Sequence, residues 1–198
     1  MSGSTSFFKA VTSRRTIYQL SASSPIPDSR ILDIVNESVK HSPSSFNSQS
    51  SRAVVLFGEE HKKLWDFAKE AVKAVSPAER WTAAEARLNG FQNAYGTVLL
   101  FEDRAVIEAL QEKIPNYADK DHGHGILAYV LWTAFAEEGL GANLQHYSPL
   151  IDAKIQSTWE VPVSWELKAQ LVFGKPEGAP GPKEFSPLET RVKSFGSK

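Results

Sequence analysis

The chain has 198 residues, 41% hydrophobic and 23% charged, which is enough for one domain with a sizeable core and too apolar for wholesale disorder. Lys plus Arg number 22 against 23 Asp plus Glu, a formal charge of -1, so nothing points to a nucleic-acid or anionic-membrane surface. The absence of cysteine excludes disulfides, thiolate metal sites and a Cys nucleophile together, and fits an intracellular protein.

From Met1 to Pro27 there is no acidic residue, and Ser, Thr and Arg are frequent, as in a mitochondrial transit peptide. We read this stretch instead as a short amphipathic helix with Phe7, Phe8 and Val11 on one face. Pro25-Ile26-Pro27 breaks the chain, and Asp28 can cap a second helix whose Ile31, Leu32, Ile34, Val35 and Val39 form a wide apolar face. That helix ends at His41-Ser42-Pro43. A polar loop, Pro43 to Ser51, leads to a strand over Ala53 to Phe57, closed by Gly58. Glu59 to Val75 carries Leu64, Phe67, Ala68, Ala71 and Val72 at helical spacing, and Pro77 starts another helix running to about Leu88. Thr97 to Phe101 is a second run of strand length, and Ala105 to Gln111 is a short helix.

The stretch from Ile126 to Ala136 is apolar on every side when wound as a helix. Asp121 is a candidate N-cap, and Gly139 and Gly141 supply a left-handed stop. It is too short for a membrane span, which needs about twenty apolar residues. A helix apolar all round must be buried all round, and a domain of this size rarely manages that alone. The spacing therefore predicts a central helix whose core is shared with a second copy of the chain. Pro149 to Trp159 follows as a helix stopped by Pro162, and Leu167 to Phe173 as a third strand ended by Gly174. Lys175 to Pro187 holds four prolines and reads as an extended arm, with Thr190 to Phe195 as a last strand. The architecture is α+β, a small sheet among many helices, in one domain over residues 1–198 without internal repeats.

The common phosphate-loop, dinucleotide and serine-hydrolase motifs are absent. His122-x-His124 could supply two metal ligands, but no third ligand stands at a useful spacing, so capping and packing is the favoured use and no metal is expected. The five Trp residues are scattered, and most read as core rather than as a stacking platform. Two polar clusters remain: Arg14-Arg15-Thr16 after the first helix, and the Ser/Asn/Gln loop before the first strand. Each alone reads as a solvated helix end or a plain loop. Together they combine fixed positive charge with neutral donors and acceptors, which suits a phosphorylated, polyhydroxylated ligand such as a mononucleotide.

Arg14-Arg15-Thr16, followed by Pro43-Ser44-Ser45-Phe46-Asn47-Ser48-Gln49 leading into a strand, resembles the nitroreductase family of FMN flavoenzymes. The order of elements agrees over nearly the whole chain. The runs Gly139-Leu140-Gly141-Ala142-Asn143-Leu144-Gln145-His146-Tyr147 and Gly174-Lys175-Pro176 resemble its short fungal and bacterial branch, named after a fatty-acid-repression mutant. The resemblance implies a nitroreductase-like fold with its long central helix at a homodimer interface and two FMN sites between subunits. It places Arg14, Arg15 and Thr16 at the FMN phosphate and ribityl chain. Asn47 would reach the ribityl hydroxyls and Gln49 would lie near the ring, from the partner subunit, with Ser44 and Ser45 of the same loop also among the cofactor-binding residues. Leu144, Gln145 and His146 would pass the flavin, a backbone amide there facing its N5.

By the same resemblance Lys183 and Arg191 are candidates for the phosphate. The family's close Lys-x-Arg pair occurs here only in reverse, as Arg191-Val192-Lys193. Arg87 could stand in for a lysine beside the flavin pyrimidine. The implied activity is ping-pong hydride transfer from NADH or NADPH to small-molecule electron acceptors, nitroaromatics or quinones, with the chemistry on the flavin and no catalytic side chain. A non-catalytic flavin-binding redox sensor of the same fold is the alternative, and a helical interaction protein a third reading. No partner nucleic acid or membrane is expected, and the absent signals point to the cytoplasm, with the nucleus as a second compartment.

Overall fold

The computed structural model describes residues 5–114 and 122–197. Asp121, the expected cap of the central helix, lies outside the described residues. Helix α1, Ser6–Ser13, is capped by Thr5, whose hydroxyl accepts the Phe8 N–H at 3.4 Å. Strand β1 (Leu20–Ser21) precedes α2 (Asp28–His41), which buries Ile31, Ile34 and Val35 but leaves Leu32 exposed, narrowing its expected apolar face. Strand β2 (Ser51–Phe57), helices α3 (Gly58–Val75) and α4 (Ala78–Gln92), strand β3 (Gly96–Asp103) and helix α5 (Arg104–Lys113) follow. Helix α6 (His122–Glu137), strand β4 (Gly141–Gln145), helix α7 (Asp152–Thr158) and strand β5 (Trp165–Pro176) complete the order.

The strands form one antiparallel sheet in the order β1-β5-β3-β2, with β4 also paired to β5. Every residue of β3 is buried, which is why its sequence reads as a continuous apolar run rather than an alternation. Its side chains still obey the two-residue period of a strand. Leu99 and Phe101 enter a core with α3, α4 and α7, while Val98 and Leu100 enter a second core with α2 and α6. The sheet is thus walled by helices on both faces. No helix among the described residues is long and apolar enough to cross a membrane.

Around α6 and β5 some expectations hold and others change. Helix α6 buries Gly123, Leu127, Ala128, Leu131 and Phe135, but Ile126, Tyr129 and Val130 stay 38–39% exposed. One chain therefore covers only one side of a helix that is apolar all round. Its end is as expected: Gly139 has φ +80°, and the Leu140 N–H reaches the Phe135 carbonyl at 2.9 Å. Gly141 is not part of that stop. It opens β4, a strand not foreseen, where a Cβ would meet Leu20 Cδ2 at 2.7 Å. Strand β5 runs through Gly174 to Pro176, because β1 pairs there with Lys175 and Pro176. Thr190 to Phe195 forms no strand. A short 3-10 turn at Leu188–Thr190 precedes irregular, exposed chain, since an alternating pattern becomes a strand only where a neighbour takes its hydrogen bonds.

Candidate functional site

Arg14, Arg15 and Thr16 leave α1 in extended backbone and run beside the outer edge of β4. Thr16 bridges Ala142 in parallel, and the Ile17 N–H donates to the Ala142 carbonyl at 3.0 Å. Asn143, fully buried and not singled out in the sequence, locks this contact: its Nδ2 donates to the Ile17 carbonyl at 2.9 Å, and Gln145 Nε2 donates to its Oδ1 at 2.8 Å. An Asn amid the apolar residues of a buried strand was the signal available for it. The Arg14 guanidinium stacks over Trp132, 4.4 Å from the ring centroid, and lies 5.8 Å from that of Tyr129, both on α6. Arg15 donates to the Gly181 carbonyl. The C-terminal arm thereby returns to α1, and Arg14, Arg15, Thr16 and Lys183 line one recess with Tyr18, Gly181 and Pro182. Arg191 does not line that recess; it lies exposed just beyond the 3-10 turn.

The second cluster sits between α2 and β2. Ser44 Oγ accepts the Gln49 N–H at 2.8 Å, folding the loop on itself, and Ser45–Asn47 form a 3-10 turn. Phe46, Asn47 and Gln49 all have φ near +50°, a region few residues other than glycine occupy. Asn47 and Gln49 are exposed there, while Ser44 and Ser45 are half-buried. Ser44 and Gln49 line a recess with Lys40, Ser42, Arg52 and Trp165.

The two clusters meet the same helix at different heights. Gly123 lies against Ser51 and Glu102, at the foot of the loop, whereas Arg14 lies against Trp132. Residues 123 and 132 are about 14 Å apart along the axis of α6. Between them lies the exposed strip of Ile126, Tyr129 and Val130.

Leu144 and Gln145 are half-buried on β4 and His146 is exposed just beyond it. The Tyr147 N–H donates to Gln170 Oε1 at 2.9 Å. Burial pushes the Tyr147 phenol above its usual range, and the charge of the Arg87 guanidinium, with a hydrogen bond from it, partly offsets that. Arg87, on α4, is thus brought beside the segment 144–147 and away from the Arg14 recess. Both polar clusters hold buried atoms without hydrogen-bond partners: Arg14 Nε and Trp132 Nε1 in one, and the Ser42, Ser48 and Ser50 hydroxyls in the other. Buried polar groups are normally paired, so these atoms leave hydrogen-bonding capacity that the chain itself does not use. Among the described residues no group of three or more His, Asp or Glu side chains is placed to hold a metal.

The profile of the nitroreductase family matches residues 11–175, and the chain belongs to that family of oxidoreductases. HBN1 of Saccharomyces cerevisiae is 40% identical over 192 residues, covering 93% of this chain and 95% of that protein. Nitroreductase FRM2 of the same yeast is 35% identical over 194 residues, with the same coverage. The solved structure of nitroreductase CinD from Lactococcus lactis in complex with 4-nitrophenol matches with a TM-score of 0.86 at 42% identity, covering 96% of this chain and 100% of that one.

Proposed function

We propose that this chain, one FMN-binding domain including its C-terminal arm, is an FMN-dependent NAD(P)H oxidoreductase that acts as a homodimer and reduces nitroaromatic or quinone-like acceptors by ping-pong hydride transfer. The observation that carries the reading is the pair of polar clusters, each with unpartnered buried atoms, on either side of an exposed apolar strip of α6. A symmetric dimer packed through that strip buries it and sets the Arg14 recess of one copy beside the Ser44–Gln49 loop of the other. The residues fit the cofactor. A recess with two arginines and a lysine suits a phosphate, and a loop of hydroxyls and amides suits a ribityl chain.

Bound FMN supplies two-electron hydride exchange, with NADPH or NADH as donor. The protein binds and orients. Arg14, Arg15 and Lys183 hold the phosphate, and Thr16 orients the ribityl end. Ser44, Ser45, Asn47 and Gln49 of the other copy fix the ribityl hydroxyls and ring. Leu144, Gln145 and His146 line the path beside the ring, and Arg87 with Tyr147 keeps a positive charge and a neutral phenol near that segment. CinD's complex with 4-nitrophenol supports the choice of nitroaromatic acceptors.

The test is a visible absorption spectrum of the purified protein before and after anaerobic NADPH. A yellow protein that bleaches, and recovers its colour with a nitroaromatic, is the expected result. A colourless protein that refuses added FMN would sink the proposal, and a yellow one that neither NADPH nor NADH bleaches would leave only flavin binding.

A further inference from the structure

Arg52 is the second residue of β2, just after the polar loop, and its guanidinium is tied on three sides. It donates to the Gln49 carbonyl, to the Ser51 carbonyl at 3.1 Å, and to Asp103 Oδ2 at 3.0 Å, and it lies 5.7 Å from the centroid of the Trp165 ring. Asp103 is itself pinned. Its N–H donates to the Ser50 carbonyl at 2.9 Å, and its other carboxylate oxygen caps α5 by accepting the Ala105 N–H at 3.2 Å. The loop exit at Gln49 and Ser50 is therefore bolted twice to the junction of β3 and α5. Upstream the loop holds three non-glycine residues at positive φ, a conformation that persists only where the surroundings over-determine it. The Ser44 hydroxyl fixes the Gln49 N–H, and Arg52 fixes the carbonyl of the same residue. Both backbone polar groups of Gln49 are held, and its side chain stays exposed.

We infer that Arg52, anchored by Asp103 and Trp165, is a positioning residue: it holds the Phe46–Gln49 loop in its left-handed conformation so that Asn47 and Gln49 meet the FMN of the proposed site. This rests on the flavin reading above. The guanidinium suits the task because its planar fork serves a carbonyl and a carboxylate together, whereas an ammonium is one point of charge. Both Arg52 and Asp103 are mostly buried, so salt screens the pair weakly.

The experiment titrates FMN into apoprotein of the wild type, Arg52→Met, Arg52→Lys and Asp103→Asn, following flavin fluorescence and visible circular dichroism. Each apoprotein is also melted. The expected result is an FMN Kd raised about tenfold or more in Arg52→Met, with altered dichroism of the bound flavin and partial recovery of both in Arg52→Lys. Asp103→Asn shifts the same readouts in the same direction, and decides the matter should Arg52→Met not fold. Unchanged Kd and dichroism in a folded variant would overturn the inference while leaving the flavin reading intact. A weaker Kd with unaltered dichroism and no recovery in Arg52→Lys would also overturn it, as the mark of a general loss of stability. A wild type that binds no FMN would overturn the reading itself, and this inference with it.

Discussion

Arg14 shows how one side chain can be packed on a ring and still have a donor to spare. Its charge rests on the face of Trp132 while its Nε remains without a hydrogen-bond partner in a buried setting. Arg14→Ala should weaken FMN binding by about 1–3 kcal/mol, as when a charge-assisted hydrogen bond is lost, and Asn47→Ala by a similar amount. Fluorescence titration of the apoprotein checks both, and unchanged affinities would mean that the proposed contacts are misplaced. His61 has a different lesson. Its Nδ1 lies 2.9 Å from Thr97 Oγ1, and that hydroxyl oxygen accepts from Trp65 Nε1 at 3.1 Å, inside the core of α3 and β3. Burial lowers its pKa from 6.5 to about 4. Between those values the unfolded chain binds the extra proton and the folded protein does not, so stability falls as pH drops through that window. The loss amounts to about 3 kcal/mol in all. Urea unfolding at pH 7 and pH 4 should show it, and His61→Gln should remove that component; an equal pH dependence in the variant would contradict the assignment.

At the scale of elements, the outer edge of β5 organises the site. Strand β4 pairs with Gln170 to Gly174, and β1 takes over at Lys175 and Pro176. Such pairing requires close backbone approach. A Cβ on Gly174 would stand 2.6 Å from the Ser21 carbonyl oxygen and 3.1 Å from the Tyr95 nitrogen, both backbone atoms that cannot rotate away. Gly174→Ala should therefore destabilise the fold by about 1–3 kcal/mol, read from the urea midpoint at unchanged slope. A midpoint equal to the wild type's would show that β1 is free to shift. The sequence marked Gly174 only as a strand end, because a glycine between an apolar run and a proline-rich arm carries both meanings. Which one holds depends on what lies across the sheet edge.

The whole molecule leaves unfinished surfaces on α6. Ile126, Tyr129 and Val130 form an apolar strip between the two polar clusters, and the exposed Phe185, Leu188, Val192 and Phe195 of the C-terminal arm add apolar surface. Val130→Glu places a charge in the middle of the strip without touching either core, so the chain should fold, remain monomeric and bind FMN at least tenfold more weakly. Sedimentation equilibrium at micromolar protein gives the mass. A dimer that survives the substitution would move the interface elsewhere and separate the two clusters again.

From the residues alone came the α+β class, the helices and the three longest strands, because hydrophobic period and helix stops are local properties of the chain. The two polar clusters were legible for the same reason: a basic pair after a helix and a hydroxyl-amide loop before a strand each stand out in their own neighbourhood. Tertiary structure alone decided the rest. It made a strand of Gly141–Gln145, denied one to Thr190–Phe195, returned Gly181 to Arg15, and brought Asn143, Trp132 and Arg52 against the two clusters and their flanks. Each of those outcomes depends on a hydrogen-bond or ring partner far away in the sequence, and no local pattern encodes which distant residue will supply it.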